Sequence, residues 1–419
     1  MGTQLGHPSW FEANRMTSNR DQKRPSDTAL ALDGGVCVVG SGRRFLSGIS
    51  YYTHRLVGAL AERGRGRVAA ILMRELLPRR LYPGAERIGS NLAELAYPPE
   101  VRTFDGVDWW WGRSMLEAIR LLRSERPSFV VMQWWTGTVL HSYLALALVA
   151  RLLGARVVIE FHEVQDTGEL AIAPARWYVS AVSPALIALC QGFVVHNEFD
   201  RAELAKRYRI GGKPIALIPH GPYDQYADAA GGTGDEAAPA GSGADAVTRL
   251  LYFGVIRPFK GVEDLLEAFE SLTAEEAAGF QLTIVGETWE GWTRPAEMIA
   301  ASRHFERIEF VNRYVADDEV AGFFAAADAV VLPYHRSSSS GPLHIAMSHG
   351  LPVVLSQVGG LIEASADYEG ALPIPPRDPA AIRAAIDRAA ELRGRRFEDV
   401  HSWERTVDGY EQLFEQLAA

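Results

Sequence analysis

Residues 250–269, LLYFGVIRPFKGVEDLLEAF, decide how the second half of the chain folds. An apolar run ends at Gly254 and predicts a buried strand. Apolar residues then recur at the spacing of one helix face, at Val262, Leu265, Leu266 and Phe269. The stretch therefore predicts a strand, a short loop and an amphipathic helix, which is the repeating unit of a parallel sheet covered by helices.

Two cations, Arg257 and Lys260, stand in that predicted loop. They are poorly placed for helix stability, because the amino end of a helix already carries partial positive charge. Pro258 restricts the loop, and Gly261 permits close approach of the backbone. Cationic side chains beside the N–H groups of a helix start form a diphosphate environment, so an anionic ligand is predicted here. A pair of solvated surface charges is the alternative.

The same alternation of apolar runs and helical patterns continues along the chain and predicts an α/β protein with two doubly wound parallel sheets. Residues 1–30 are polar, lack the apolar core of a signal peptide and are predicted to be disordered. We predict a first domain over 31–224, a flexible Gly/Ala-rich linker over 225–246 and a second domain over 247–400. The apolar stripe of residues 401–419 predicts a final helix that packs back toward the first domain. The expected ligand site is the cleft at the carboxyl ends of the strands.

The composition is that of a globular protein and disfavours some partners. A formal net charge of -10 over 419 residues argues against general nucleic-acid affinity, so any anion site must be local. Cys37 and Cys190 stand in apolar runs, where buried thiols are expected, and a reducing cytoplasm fits. The apolar run of residues 142–161 is interrupted by Arg151 and Arg156, which favours a buried helix and strand over a membrane span. Peripheral contact with the inner face of a membrane stays open.

A second candidate loop follows the apolar run 330–334 and reads HRSSSSGPLH. Proline suits the first helical turn and serine or glycine suits the cap, so a helix is predicted to begin at Gly341. The groups predicted to face a phosphate are Ser338, Ser339, Ser340, Gly341 and the N–H groups of Leu343 and His344. A capped helix with a polar turn is the alternative, but two such helix starts in one domain favour a phosphate site.

In the first domain, VCVVGSGRRFLSG joins a predicted strand to a helix through Gly40, Gly42 and Gly48. A dinucleotide fingerprint would need glycine at position 45, where Phe45 would block close packing of helix and strand, so a dehydrogenase is disfavoured. Gly48 is instead predicted to let backbone N–H groups meet a ligand across the cleft.

These motifs, with AAADAVVLPY, AMSHGLPVVLSQVGGLIE, LIPHG and EFHEVQDTGE, resemble the group-1 family of retaining glycosyltransferases with the GT-B fold over about residues 34–415. The resemblance implies transfer of a sugar from a nucleotide-diphosphate sugar to a hydroxyl acceptor, with retention. It implies that Arg257 and Lys260 neutralise the donor diphosphate, that Gly48 lies near it, and that His162 lies beside the transferred sugar. No cofactor is expected, and no metal is predicted because no D-x-D stretch adjoins a candidate phosphate loop.

The chain departs from the family pattern at Ser337 and Ile345, where two glutamates commonly contact the sugar and hold the ribose. The remaining predicted donor-binding positions are Gly254, Glu287, Gly360 and Glu363. For the two glutamates, a surface or capping role is the alternative.

Two other functions stay open, a nucleotide-sugar epimerase of the same architecture and a catalytically silent nucleotide-binding or glycan-binding protein. The acceptor is open between a glycan, a lipid-linked sugar and a small metabolite. Aromatic faces for sugar or lipid are offered by Trp109, Trp110, Trp111, Trp134 and Trp135. Core packing is predicted for at least half of these tryptophans.

Overall fold

The computed structural model describes residues 34–42, 48–64, 66–77, 95–164, 173–226, 247–289 and 291–419, without the side chains of residues 317 and 318. The disorder predicted for residues 1–30 and nearly all of the predicted linker lie outside these ranges.

The first sheet has seven parallel strands in the order β3-β2-β1-β4-β5-β6-β7. They are β1 (Val36–Ser41), β2 (Val68–Met73), β3 (Arg102–Val107), β4 (Phe129–Trp134), β5 (Arg156–Phe161), β6 (Gly192–Val195) and β7 (Ile215–Leu217). Every residue of β1, β2 and β4 is buried, because helices cover both faces of the sheet.

Among the described residues, five α-helices lie between these strands. They are α1 (Gly48–Glu62), α2 (Gly112–Glu125), α3 (Leu140–Leu152), α4 (Ala173–Leu189) and α5 (Glu198–Arg207). Helices α2, α3 and α4 share one core below the sheet, and α1 packs on the opposite face. Cys37 and Cys190 are free and buried, and burial raises the pKa of each thiol to about 12, in agreement with the predicted structural role.

The second sheet has six parallel strands in the order β10-β9-β8-β11-β12-β13. They are β8 (Thr248–Phe253), β9 (Phe280–Val285), β10 (Ile308–Val311), β11 (Ala329–Leu332), β12 (Val353–Ser356) and β13 (Ala371–Ile374). Its helices are α6 (Val262–Glu270), α7 (Ala274–Ala278), α8 (Arg294–Ala301), α9 (Asp317–Ala326), α10 (Gly341–Ser348), α11 (Gly360–Ala364) and α12 (Pro379–Glu391). Helix α6 buries the four apolar residues whose spacing predicted it.

The final helix, α13 (Trp403–Ala418), packs on the first domain. The Phe414 ring stacks on Phe129 of β4 with ring centres 4.3 Å apart. Arg63, just after α1, pairs with Asp408 and Glu411 of this helix. The structure therefore confirms two doubly wound parallel sheets and a C-terminal helix that returns to the first domain. None of the helices in the described ranges combines the length and apolar character needed to cross a bilayer.

Candidate active site between the two sheets

The predicted cation loop after β8 forms a short 3-10 turn, Pro258–Lys260, which is closed by Gly261. Gly261 has a φ of 67°, a conformation that residues with side chains rarely adopt. A Cβ atom at this position would overlap the carbonyl oxygen of Pro333. Glycine is therefore required where the loop passes the end of β11, and this close approach holds the loop against the sheet.

Arg257 and Lys260 are half-buried and lie against aromatic rings. The Lys260 Nζ atom is 3.7 Å from the centre of the Tyr334 ring. The Arg257 guanidinium carbon is 4.6 Å from the centre of the Trp289 ring. Among the described residues, no carboxylate pairs with Lys260. The ammonium charge is therefore oriented by an aromatic face and available to an anionic ligand.

The serine loop adjoins the cation loop through Tyr334, whose hydroxyl lies 3.5 Å from the Ser340 Oγ atom. Helix α10 begins at Gly341 with Ser340 as its cap, as predicted. The Ser340 Oγ atom accepts the Leu343 N–H at 3.3 Å, and the Ser340 carbonyl accepts the N–H groups of Leu343 and His344. The first helical turn thus uses both N–H groups, and the contact of these groups with a phosphate stays a prediction.

Glycines from both domains meet at one end of the two sheets. A Cβ atom on Gly254 would lie 3.5 Å from the Pro342 side chain. A Cβ atom on Gly48, the first residue of α1, would lie 2.7 Å from the Tyr223 hydroxyl, and one on Gly341 would lie 4.0 Å from the same hydroxyl. The starts of α1 and α10 thus approach each other across Tyr223, as expected if both face one ligand.

Two further contacts join the domains at the serine loop. The Asn197 side-chain amide donates to the Ser338 carbonyl oxygen at 3.0 Å, and Gly360 packs so tightly on both groups that a Cβ atom would overlap them. The Glu363 carboxylate accepts the first two backbone N–H groups of α5, at 2.7 and 3.1 Å. Glu363 therefore caps a helix of the first domain, which was the alternative to its predicted role at the donor.

His162 follows β5 and is buried in a cluster of polar side chains. Its Nδ1 atom lies 3.2 Å from His196 Nε2, and its Nε2 atom lies 3.7 Å from the Glu160 carboxylate. Gln133 donates to the same carboxylate at 3.1 Å. Burial by itself would raise the pKa of Glu160, but His162, His196 and Tyr52 reverse the effect and lower it to about 2. A buried anion thus stands beside the histidine that was predicted to lie at the sugar.

Three more histidines extend this cluster toward the second domain. The His220 ring centre lies 5.0 Å from that of His196 and 4.7 Å from that of His344, on which it stacks. The His344 ring in turn contacts His401 edge-on, with ring centres 5.0 Å apart. Burial, followed by the charge of a neighbouring histidine, lowers the pKa of His196 to about 4 and that of His344 to about 3. The His196 and His344 rings are therefore neutral at pH 7, and His220 stacks on His344 across the boundary between the sheets.

Glu160, His162 and His196 form the one group of three metal-ligand side chains within 4.8 Å of one another in the described part of the chain. A carboxylate and two imidazoles suit Zn²⁺ by ligand type. Absence of a metal from the reaction stays a prediction.

A cavity of about 200 Å³ lies between the domains. The predicted site residues in its wall are Ser338, Ser339, Ser340, Gly360 and Glu363. Wall residues that the sequence analysis missed are His196, Asn197, His220, His401 and Arg405. The LIPHG motif was quoted for the resemblance, but nothing in its local pattern indicated that His220 would stack on His344 of the second domain.

Glu287 lies beside the cation loop, where its carboxylate accepts the Trp289 indole N–H at 3.3 Å. Arg257 lies over that same indole ring. At the two departures from the family pattern, the Ser337 hydroxyl donates within its own loop and Ile345 is buried. Neither position offers a carboxylate, so the glutamate pattern has no replacement at these two places.

Two family models match the chain, and together they match more than half of its length. The model described as "Glycosyl transferase 4-like domain" matches residues 47–221, which hold most of the first domain. The model described as "Glycosyl transferases group 1" matches residues 247–391, which hold the second sheet and the cation loop.

Named relatives agree with these models. The chain is 32% identical over 247 residues to a D-inositol 3-phosphate glycosyltransferase of Geodermatophilus obscurus, and the match spans 54% of each protein, about half of the relative's length. It is 26% identical over 354 residues to the glycogen synthase of Mycobacterium tuberculosis, spanning 81% of this chain and 82% of that one.

A solved structure shows the same fold. Sucrose-phosphate synthase from Thermosynechococcus elongatus superposes with a TM-score of 0.57 over 91% of this chain and 94% of that chain, at 19% sequence identity. At that identity the likeness concerns the arrangement of the two sheets alone. Taken with the matches of both domains to family models, it shows that the chain belongs to the group-1 glycosyltransferase family with the GT-B fold.

Proposed function

We propose that the chain transfers a sugar from a nucleotide-diphosphate sugar to a hydroxyl acceptor, with retention of anomeric configuration. The observation that carries the proposal is the Lys260 ammonium, held 3.7 Å from the Tyr334 ring without a carboxylate partner among the described residues. It stands beside Arg257, at the end of the second sheet where the glycines of both domains meet.

In this proposal the two cations act on the leaving group. As the bond between sugar and diphosphate breaks, negative charge develops on the diphosphate, and positioned cations in a cleft stabilise it. His162 lies beside the sugar, and Glu160 with Gln133 orients its ring. Retention follows when the leaving phosphate oxygen accepts the proton of the acceptor hydroxyl on the same face of the sugar.

A second candidate function is a catalytically silent nucleotide-binding protein. The observation that favours it is the absence of a carboxylate at Ser337 and Ile345. Such a protein would bind a nucleoside diphosphate and show no turnover with any acceptor, so binding and transfer must be measured separately.

The experiment is a thermal-shift screen of the full chain against nucleoside diphosphates and their sugar conjugates. A ligand at one hundred times its Kd stabilises the native state by about 2.7 kcal/mol, which is readily detected. Incubation of the preferred donor with candidate acceptors, followed by NMR of the anomeric proton, then reports transfer and retention. Absence of stabilisation by every diphosphate would contradict the proposal, and release of an altered sugar nucleotide without acceptor would indicate the epimerase.

The cofactor and the location belong to the same proposal. Because no metal is expected, a chelator should leave the rate of transfer unchanged, whereas a rate lost with chelator and restored by Mg²⁺ or Zn²⁺ would contradict this part. The proposed location is the cytoplasm, with or without peripheral contact at the inner face of a membrane. The acceptor class stays open between a glycan, a lipid-linked sugar and a small molecule.

A further inference from the structure

The outer surface of α2, α3 and α4 is unusually apolar. In the described part of the chain, six of the eleven exposed large hydrophobic residues lie on these helices or at the start of α2. They are Trp110 (73% exposed), Trp111 (38%), Leu116 (54%), Leu148 (49%), Leu152 (78%) and Trp177 (74%). Together with the exposed arginines of the same helices we call this surface the Trp–Arg face. Several large apolar side chains exposed on neighbouring helices of a folded protein are typical of an interaction site.

The outward stripe of α4 is apolar, and that of α3 is apolar apart from His141. On α4 the positions Trp177, Ala181, Pro184 and Ala188 recur at helical spacing, and all four are exposed. On α3 the positions His141, Ala145, Leu148 and Leu152 follow the same spacing, with the two leucines exposed and His141 and Ala145 half-buried. A solvent-facing helix normally presents polar residues on such a stripe. We therefore expect a partner to cover the outer side of these two helices, as the sheet covers their inner side.

At the cleft end of the face, His141 contacts Trp111, Trp109 and Tyr178. His141, in the first turn of α3, stacks on Trp111 with ring centres 5.7 Å apart, and its Nε2 atom lies 2.8 Å from the Trp109 carbonyl oxygen. Its Nδ1 atom lies 2.7 Å from the Tyr178 hydroxyl, next in sequence to Trp177. The exposed Trp111 ring is therefore held in place, because it stacks on His141 and its indole N–H donates to Ser142 at 2.9 Å.

The charge of the face is opposite to that of the chain. Helices α2, α3 and α4 carry five arginines and two acids, and one of the acids, Glu125, is buried and paired with Arg102. The five helix arginines, Arg113, Arg120, Arg123, Arg151 and Arg176, are exposed, as is Arg126 just after α2, against the single exposed acid Glu117 on these helices. On a protein with a formal net charge of -10, this local excess of positive charge indicates an anionic partner.

We propose that the Trp–Arg face binds the surface of an anionic lipid bilayer. Tryptophan is the residue typical of the boundary between headgroups and acyl chains, and arginine lets its apolar stem lie on hydrocarbon while its charge meets lipid phosphate. A symmetric dimer through this face is disfavoured, because a two-fold axis would bring two surfaces of the same positive charge together. The apolar stripes supply the hydrophobic part of the binding energy, and the arginines select the anionic lipid.

Sedimentation of the full chain with vesicles tests this proposal without any assay of transfer, so it does not depend on the proposed function. Binding is expected to vesicles of phosphatidylcholine mixed with phosphatidylglycerol, and much weaker binding to phosphatidylcholine alone. Added salt should weaken the binding to the anionic vesicles, because it screens the arginines.

Two variants with matched controls separate the charged and apolar parts. Arg113→Gln with Arg120→Gln should lower partition to the anionic vesicles about 30-fold, whereas Arg388→Gln, at an exposed arginine of α12, should not change it. Trp177→Ser should weaken binding at least about tenfold, whereas Phe305→Ser, at a ring 57% exposed in the second domain, should not. Thermal melting would verify that each variant is folded.

Several results would overturn the proposal. One is absence of wild-type binding to the anionic vesicles, and another is equal binding by the Trp177 variant and the wild type. A third is a dimer in sedimentation velocity that Trp177→Ser dissociates, since the face would then belong to a protein interface.

Discussion

Replacement of Lys260 by methionine is expected to remove most donor binding and transfer while the fold stays intact. Methionine keeps an unbranched stem to pack on Tyr334 and removes the charge. In the folded protein the ammonium contributes a cation–π contact at 3.7 Å, worth about 0.5–1 kcal/mol in a partly exposed site. The free energy of unfolding should therefore fall by no more than about 1 kcal/mol.

The effect on the ligand should be larger than the effect on the fold. A hydrogen bond to a charged group contributes about 1.5–3 kcal/mol, which corresponds to roughly 10-fold to 150-fold weaker binding of the nucleoside diphosphate. Loss of a positioned charge that acts on the leaving group should lower kcat by roughly 100-fold to 1000-fold. Lys260→Ala should show the same loss, because the charge matters more than the stem.

Calorimetry with the diphosphate that binds the wild type best, and steady-state kinetics with its sugar conjugate, measure both effects. The matched control is Lys206→Met, which removes an exposed lysine paired with Glu203 in the first domain and should change neither quantity. An unchanged Kd and kcat in Lys260→Met would refute the assigned role. A Lys260 variant that loses several kcal/mol of stability would refute the reasoning about its partly exposed position.

Three further predictions concern the fold and the boundary between the domains. In a denaturant titration, Gly261→Ala should destabilise the protein by about 1–3 kcal/mol, because its Cβ atom would overlap the Pro333 carbonyl oxygen and its φ is 67°. The control Gly58→Ala, in open space within α1, should instead stabilise the protein by about 0.5–1 kcal/mol. Glu363→Ala should lower the free energy of unfolding by about 1 kcal/mol, because the start of α5 loses its cap. Proteolysis between the sheets should become faster as this contact is lost. Unchanged stability and proteolysis would show that the cap contributes nothing. Because the pKa of His196 is lowered to about 4, the unfolded chain binds more protons between that pH and about 6.5, so stability should fall as the pH is lowered through this window. Across this window the wild type should lose on the order of 3 kcal/mol of stability through His196, and His196→Gln should remove that loss. A pH profile of the variant identical to that of the wild type would contradict the assigned burial.

The strongest predictions from sequence were those in which one short stretch contains all the relevant information. The loop from Gly254 to Gly261 could be predicted because strand, glycine, cations and helix face are contiguous, and the structure places them as expected. The start of α10 at Gly341 could be predicted for the same reason, since serine, glycine and proline are local signals of a helix start. The sequence did not predict that the Leu343 N–H is bonded within the cap, because the same residues are compatible with a free or a bonded N–H.

The histidine cluster shows the opposite case. His162, His196, His220, His344 and His401 come from both domains and from the segment that leads to the final helix, and each one is ordinary in its own stretch. Only the order of the parallel strands and the return of α13 to the first sheet bring the rings together.

The sequence by itself determined that the chain forms two doubly wound parallel sheets with a cation loop at one strand end, because helix spacing, strand burial and glycine turns depend on neighbouring residues. The tertiary structure decided which groups face one another, including the cap that Glu363 places on α5 and the exposure of Trp110 and Trp177. Such pairings depend on how the two sheets and their helices dock, and burial of an aromatic ring is a property of everything packed around it. The physical reason is that hydrophobic periodicity specifies a face, whereas only the assembled core specifies what that face meets.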